Sequence, residues 1–187
     1  MEKQYSIAIY PSGAILDLVK SMKIQLAQEV GWFHSKNSAG HITICEVKAT
    51  DTTIEIIKKR LSEVCDTLKP VEVRLNKFGS YPSGAFFIAP DEDSKNNLKP
   101  IMKRVQDSLR TFDLQKSDDP HLSIARKLTP EKQKRAIRLF PPIDVLFLCD
   151  SIVLRKFDEN IKQFFVTDTF TFNGNPPPPE LIQGTLF

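Results

Sequence analysis

The chain has 187 residues, of which 41% are hydrophobic and 26% are charged; this is ordinary usage for a globular protein and excludes fibrous and largely disordered classes. The net charge of +3, from 26 basic and 23 acidic residues, is too small to identify a polyanionic partner. No apolar run approaches the roughly 20 residues of a membrane helix, and the N-terminus lacks a signal peptide. The three cysteines are scattered, which is typical of reduced, buried thiols. We therefore expect a cytoplasmic protein without a membrane partner.

The first part of the chain predicts the order strand, helix, strand, helix, strand. A short strand over 5–10 is followed by an amphipathic helix between a cap at Ser12 and a glycine stop at Gly31. A β-branched run over 41–47 predicts the second strand. Thr50 and Asp51 open a second helix, which Pro70 closes, and alternation over 71–75 predicts a half-buried strand.

The second part begins the same pattern again. A strand over 85–89 ends at a proline, and Asp93 or Ser94 caps the next helix. After a polar loop, the strand HLSIARKL begins at His121. Thr129 and Pro130 supply an N-cap and an N1 proline for a short helix. Two further strands are predicted, over 145–154 and 164–172.

The spacing of these elements indicates an internal duplication. Tyr5 and His41 are 36 residues apart, as are Ala85 and His121, so the two histidines are 80 residues apart. No low-complexity linker separates the copies. The sequence therefore predicts an α+β fold in which two copies of one unit are fused.

We expect these copies to form one bilobal domain over 1–172, with repeats over about 4–78 and 84–172. The expected architecture has two antiparallel sheets, flanked by helices, around a central cleft with pseudo-twofold symmetry. A proline-rich tail over 173–187 lies outside it.

Two histidine motifs carry the chemistry. His41-Ile-Thr43-Ile and His121-Leu-Ser123-Ile share one form, in which a histidine and a hydroxyl residue alternate with apolar residues. On a strand, each histidine and its hydroxyl partner project to the same face, about 7 Å apart. If the repeat makes a pseudo-twofold, both pairs face one cleft.

That set of groups suits phosphodiester chemistry without a metal or cofactor. One imidazole takes a proton from the nucleophile and the other gives a proton to the leaving oxygen. The hydroxyls of Thr43 and Ser123 suit the non-bridging phosphate oxygens. A single such motif is more often structural. Here, however, the two motifs occupy equivalent positions in the two repeats and have similar apolar residues beside the histidine and the hydroxyl. This match favours catalysis by His41 and His121.

With these motifs the chain resembles the two-histidine (2H) phosphoesterase superfamily, in particular its LigT-like branch of RNA 2′,5′-ligase and cyclic phosphodiesterase proteins. The resemblance covers roughly 4–172 and includes Phe78-Gly79 and the extension of the second motif to HLSIAR. It implies a metal-independent enzyme that acts on 2′,3′-cyclic phosphates or 2′,5′ linkages. One histidine would be the base and the other the acid, without an assignment of which. Ser123 stands where the family more commonly has threonine.

Four further residues are candidate substrate contacts. Arg126 is either a phosphate clamp or a solvated charge at a strand end. Phe33 and Tyr81 lie in predicted loops near the cleft, where they would stack on a base or simply anchor the loops. His34 lacks the motif and is a loop residue with a lesser claim to the cleft.

The expected partners are RNA ends or a small nucleotide, bound by a monomer. The second hypothesis is a non-catalytic nucleotide or RNA-end binding module of the same fold. A third, interaction-based hypothesis rests on Gln183–Phe187, which is similar to the peptide that bacterial proteins insert into sliding clamps; the same residues would otherwise pack on the domain or a second copy.

Overall fold

The computed structural model describes residues 1–177. Within this range the helices are α1 (Gly13–Val30), α2 (Asp51–Asp66), α3 (Glu92–Ser108) and α4 (Pro130–Leu139). The strands are β1 (Lys3–Ile9), β2 (Ile42–Ala49), β3 (Val71–Tyr81), β4 (Ala85–Pro90), β5 (Leu114–Lys116), β6 (Leu122–Ala125), β7 (Val145–Cys149), β8 (Ser151–Asp158) and β9 (Gln163–Thr171). None of these helices is long and apolar enough to cross a membrane.

All of these strands pair in antiparallel fashion within one sheet. The order is β7-β3-β4-β6-β2-β1-β8-β9, and β5 pairs with β2. The α+β class is thus confirmed, and the two expected sheets are two halves of one sheet that meet where Ile42 pairs with Leu122. Outward from this point β6 is followed by β4 and β3, and β2 is followed by β1 and β8. The first strand of each repeat thus pairs with a strand of the other repeat, β4 with β3 and β1 with β8.

Three predicted elements need correction. The single strand expected over 145–154 is two strands, β7 beside β3 and β8 beside β1, because the chain turns at Asp150 and an apolar run does not specify its partners. The cap of α3 is Asp91, whose carboxylate accepts from the amide of Ser94. The polar loop before His121 contains β5, which the sequence did not predict because only backbone pairing with β2 defines it.

The helices cover one face of the sheet. Apolar side chains from all four helices and the central strands form one continuous core. Ile42, Ile44, Leu122 and Ile124 belong to this core and are fully buried. The opposite face of β2 and β6 is therefore left for the side chains that alternate with them.

The first residues of the predicted tail contact helix α2. The side chains of Asn173 and Asn175 both donate to Asp66 at the end of α2, at 2.9 and 2.8 Å. The motif Gln183–Phe187 lies outside the described residues, so the interaction hypothesis stays a prediction.

Candidate active site

The two histidine motifs line one cavity of about 520 Å³ on the open face of the sheet. Each histidine lies immediately before its strand, His41 before β2 and His121 before β6. The pairing of Ile42 with Leu122 sets the motifs side by side. The strand alternation then brings the hydroxyl residues into the same cavity, which is lined by His41, Thr43, His121 and Ser123.

Both imidazoles are held in the same way. The Nδ1 atom of His41 donates to the carbonyl of Ala39 at 2.7 Å, and that of His121 donates to the carbonyl of Asp119 at 2.8 Å. A carbonyl only accepts, so each Nδ1 carries the proton in the neutral ring. The Nε2 atom of each ring is therefore left free to accept or donate a proton.

The surroundings of His41 are cationic. Burial and the nearby Arg155 guanidinium lower the pKa of His41 to about 3, and Lys23 and Arg126 contribute in the same direction. The hydrogen bond to Ala39 opposes this shift but is outweighed. The free protein thus holds His41 neutral, with Nε2 ready to accept a proton.

A buried lysine that was not predicted from the sequence as a site residue secures the loop before His41. Lys23 is only 2% exposed, and its Nζ donates to the carbonyls of Ser35 and Ser38 at 2.9 and 2.8 Å. It also donates to the Ser38 hydroxyl at 3.2 Å. Burial lowers the pKa of Lys23 to about 8. The sequence contains one indication that Lys23 is buried, since it lies four residues after Val19 on the apolar face of α1.

The surroundings of His121 are different. Its ring packs against Phe87, with centroids 4.7 Å apart, and against the edge of Tyr81 at 5.5 Å. The Tyr81 hydroxyl donates to the carboxylate of Asp119, which also pairs with Lys95 at 2.8 Å. Burial raises the pKa of Asp119, but the hydrogen bonds from Lys95 and Tyr81 outweigh burial and lower it overall. His121 is thus held by a residue with an ionised carboxylate.

The other predicted contacts divide into two groups. Arg126 and His34 line the cavity, and their backbones form an isolated antiparallel bridge. Within a strand, alternation would place Arg126 on the face opposite His121. Arg126 lies just beyond the end of β6, so this alternation does not fix the direction of its side chain. Of the two alternatives for Phe33, loop anchoring fits the structure, because its side chain is 3% exposed and lies in the core. The ring of Tyr81 packs against His121 and its hydroxyl donates to Asp119, so this side chain also anchors its surroundings.

Metal ligands are not clustered in this part of the chain. Among residues 1–177, no group of three or more His, Cys, Asp or Glu side chains is arranged to hold a metal ion. The polar side chains that line the cavity include imidazoles, hydroxyls and cationic groups.

A known protein family matches most of this chain. Residues 23–161 match the model of the 2′-5′ RNA ligase superfamily, and this range includes both histidine motifs. No curated protein sequence gives a significant match.

Solved structures share the fold at low sequence identity. E. coli LigT in apo form is 11% identical, with a TM-score of 0.65 over 91% of this chain and 97% of LigT. E. coli LigT complexed with 3′-AMP is 10% identical, with a TM-score of 0.65 over 92% of this chain and 99% of LigT. TT0787 of Thermus thermophilus is 16% identical, with a TM-score of 0.63 over 92% of this chain and all (100%) of TT0787. The likeness shows that these chains have a common fold.

Proposed function

The chain belongs to the 2′-5′ RNA ligase superfamily, and we propose that it is a metal-independent phosphodiesterase that acts on 2′,3′-cyclic phosphate ends of RNA or on 2′,5′ linkages. The observation that carries the proposal is the matched pair of imidazoles. Both Nδ1 atoms are occupied by backbone carbonyls, which leaves two Nε2 atoms and two hydroxyls in one cavity. These groups supply both proton transfers that the reaction needs.

Ring opening needs one bond to form and one to break at phosphorus. Water attacks the phosphorus as one Nε2 takes its proton, and a new P–O bond forms. The P–O bond to the 2′- or 3′-oxygen breaks, and that oxygen receives a proton from the other Nε2. The hydroxyls of Thr43 and Ser123 donate to the non-bridging oxygens as their charge is redistributed.

The unequal surroundings of the two histidines support a division of roles. His41 lies among cations and is neutral, so we assign it as the base that accepts the proton from water. His121 is the other imidazole in the cavity, so we assign it as the acid that protonates the leaving oxygen. The bound phosphate anion raises the pKa of His41 again, which makes it a stronger base in the complex. In 2′,5′ ligation the two roles exchange.

The size and character of the cavity favour a nucleotide substrate. Its volume of about 520 Å³ suits a small organic ligand or one end of an oligonucleotide. The related fold of E. coli LigT has been solved with 3′-AMP, with phosphate and with ATP, so that protein accepts nucleotides.

The test is a screen of 2′,3′-cyclic nucleotides and of oligonucleotides that end in a cyclic phosphate. We expect release of a 2′- or 3′-phosphate in the presence of EDTA, and a fall of about 1,000-fold or more in kcat for His121→Ala. His41→Asn is the sharper variant, since its side-chain amide can still donate to Ala39 while Nε2 is lost. Unchanged turnover in either variant would refute the mechanism. Tight nucleotide binding without any turnover would favour the binding-module hypothesis instead.

A further inference from the structure

A cationic group that lowers the pKa of His41 also faces the cavity itself. Arg155 of β8 lines the cavity although it is only 2% exposed. Its Nη2 donates to the Ser6 hydroxyl at 2.7 Å, and its Nε has no hydrogen-bond partner among the described residues. A buried guanidinium is costly unless an anion accepts from it.

Aromatic rings and a serine fix the position of this guanidinium. The Cζ atom of Arg155 lies 5.0 Å from the centroid of the Phe164 ring and 5.9 Å from that of Tyr10. The carboxylate of Glu46 favours the charged form of Arg155, but it accepts from Gln4 at 2.9 Å and forms no ion pair with Arg155 within residues 1–177. The side chain is therefore rigid and charged, and it lacks an anionic partner in the protein.

The sheet register separates Arg155 from the phosphate-binding hydroxyl of the first motif. Thr43 pairs with Ala8 on β1, whereas Arg155 pairs with Ser6, two residues further along β1 and on its other side. The Cα atoms of Thr43 and Arg155 are thus about 12 Å apart by strand spacing and rise. The bond to Ser6 keeps the guanidinium beside that serine.

We propose that Arg155 binds a second phosphate group of the substrate, separate from the one that is cleaved. This inference rests on the proposed function. In an RNA end that carries a 2′,3′-cyclic phosphate, the nearest other phosphate is the one at the 5′-oxygen of the same nucleoside. Arginine suits it, because its planar donors match phosphate oxygens and its charge is permanent. The protein therefore distinguishes a nucleotide that continues on its 5′ side from a bare nucleoside cyclic phosphate.

The experiment compares adenosine 2′,3′-cyclic phosphate with and without a 5′-phosphate. For the wild type we expect kcat/KM to favour the 5′-phosphorylated substrate by about 10- to 100-fold. Arg155→Met should reduce this preference at least tenfold, and Arg155→Lys should retain part of it. Arg110→Met, at an exposed arginine, is the matched control and should keep the wild-type preference.

Other outcomes separate this proposal from its alternatives. If Arg155 served only to tune His41, both substrates would lose kcat/KM equally and the acid limb of the pH profile would move upward; that result overturns the proposal. A wild-type preference below twofold overturns it too, even if the variants fail to fold. If neither substrate is turned over, the proposed function fails. Calorimetry then compares the affinities for adenosine 3′,5′-bisphosphate and 3′-AMP, which differ only in the 5′-phosphate. Equal affinities would refute the proposed role of Arg155 in binding that phosphate.

Discussion

Replacing Lys23 by methionine tests how the protein positions its candidate base. The change removes three hydrogen bonds from a buried ammonium group to the loop that carries Ala39. Methionine fills a similar volume without the charge. Because the loop then loses its fixed geometry and Ala39 orients His41, we expect kcat/KM to fall about tenfold.

The magnitude of the effect on stability follows from the pKa. In the folded protein the pKa of Lys23 is about 8, against an ordinary value of 10.5. Between these two values the unfolded chain binds more protons than the folded protein, so the free energy of unfolding of the wild type rises with pH. Relative to Lys23→Met, we expect a gain of about 2 kcal/mol from pH 8 to pH 9.5 and about 3 kcal/mol in all. Below pH 8 both states hold the proton and the difference is constant.

The assay is urea denaturation of wild type and variant at several pH values, with the difference in free energy of unfolding plotted against pH. Lys20→Met is the matched control, since Lys20 is exposed on the same helix and should show no such slope. A difference that is flat or falls as pH rises would show that burial does not destabilise the ammonium of Lys23, and the reasoning would be wrong.

Three further predictions concern the site itself. Gly79→Ala places a methyl group 2.7 Å from Cζ of Phe87, whose ring packs on His121, so kcat/KM should fall at least tenfold in steady-state assays. Because burial and Arg155 lower the pKa of His41 to about 3, the acid limb of kcat/KM should lie well below the ordinary histidine value of 6.5 in a pH–rate profile. Thr43→Val removes a phosphate donor while keeping the shape of the side chain, and kcat should fall about 100-fold.

Each of these has a result that contradicts it. Gly13→Ala is the control for the glycine prediction, since a methyl group there meets nothing within 4 Å, and equal activity of the two variants would refute the role of the Phe87 ring. An acid limb near pH 6.5 would show that His41 is not held neutral by its surroundings. A Thr43→Val protein with unchanged kcat and melting temperature would remove that hydroxyl from the mechanism.

The element order and the histidine motifs were predictable because they depend on local patterns. Apolar spacing defined the helices, and the caps at Thr50 and Thr129 accept the amide hydrogen bonds expected of them. The two histidines lie at equivalent positions of the repeat, and strand alternation predicts that each histidine and its hydroxyl partner project from the same face. These features involve residues close together in the chain, so they can be recognised without knowing the fold.

The surroundings of the site depend on contacts between distant parts of the chain. Arg155 contacts Ser6 because β8, from the second repeat, pairs with β1, from the first. Lys23 donates to a loop that lies twelve or more residues further along the chain. The choice between stacking and loop anchoring for Phe33 and Tyr81 likewise depends on the core and on Asp119, which these two side chains contact.

Local pattern was thus enough to predict a globular chain with a small net charge, an internal repeat and two imidazole–hydroxyl pairs. It did not predict that His41 lies among cations, or that His121 donates to the backbone carbonyl of Asp119 while the Asp119 carboxylate binds Tyr81 and Lys95; the folded chain decides both. A pKa depends on burial and on neighbouring charges, and strand pairing between the repeats sets both.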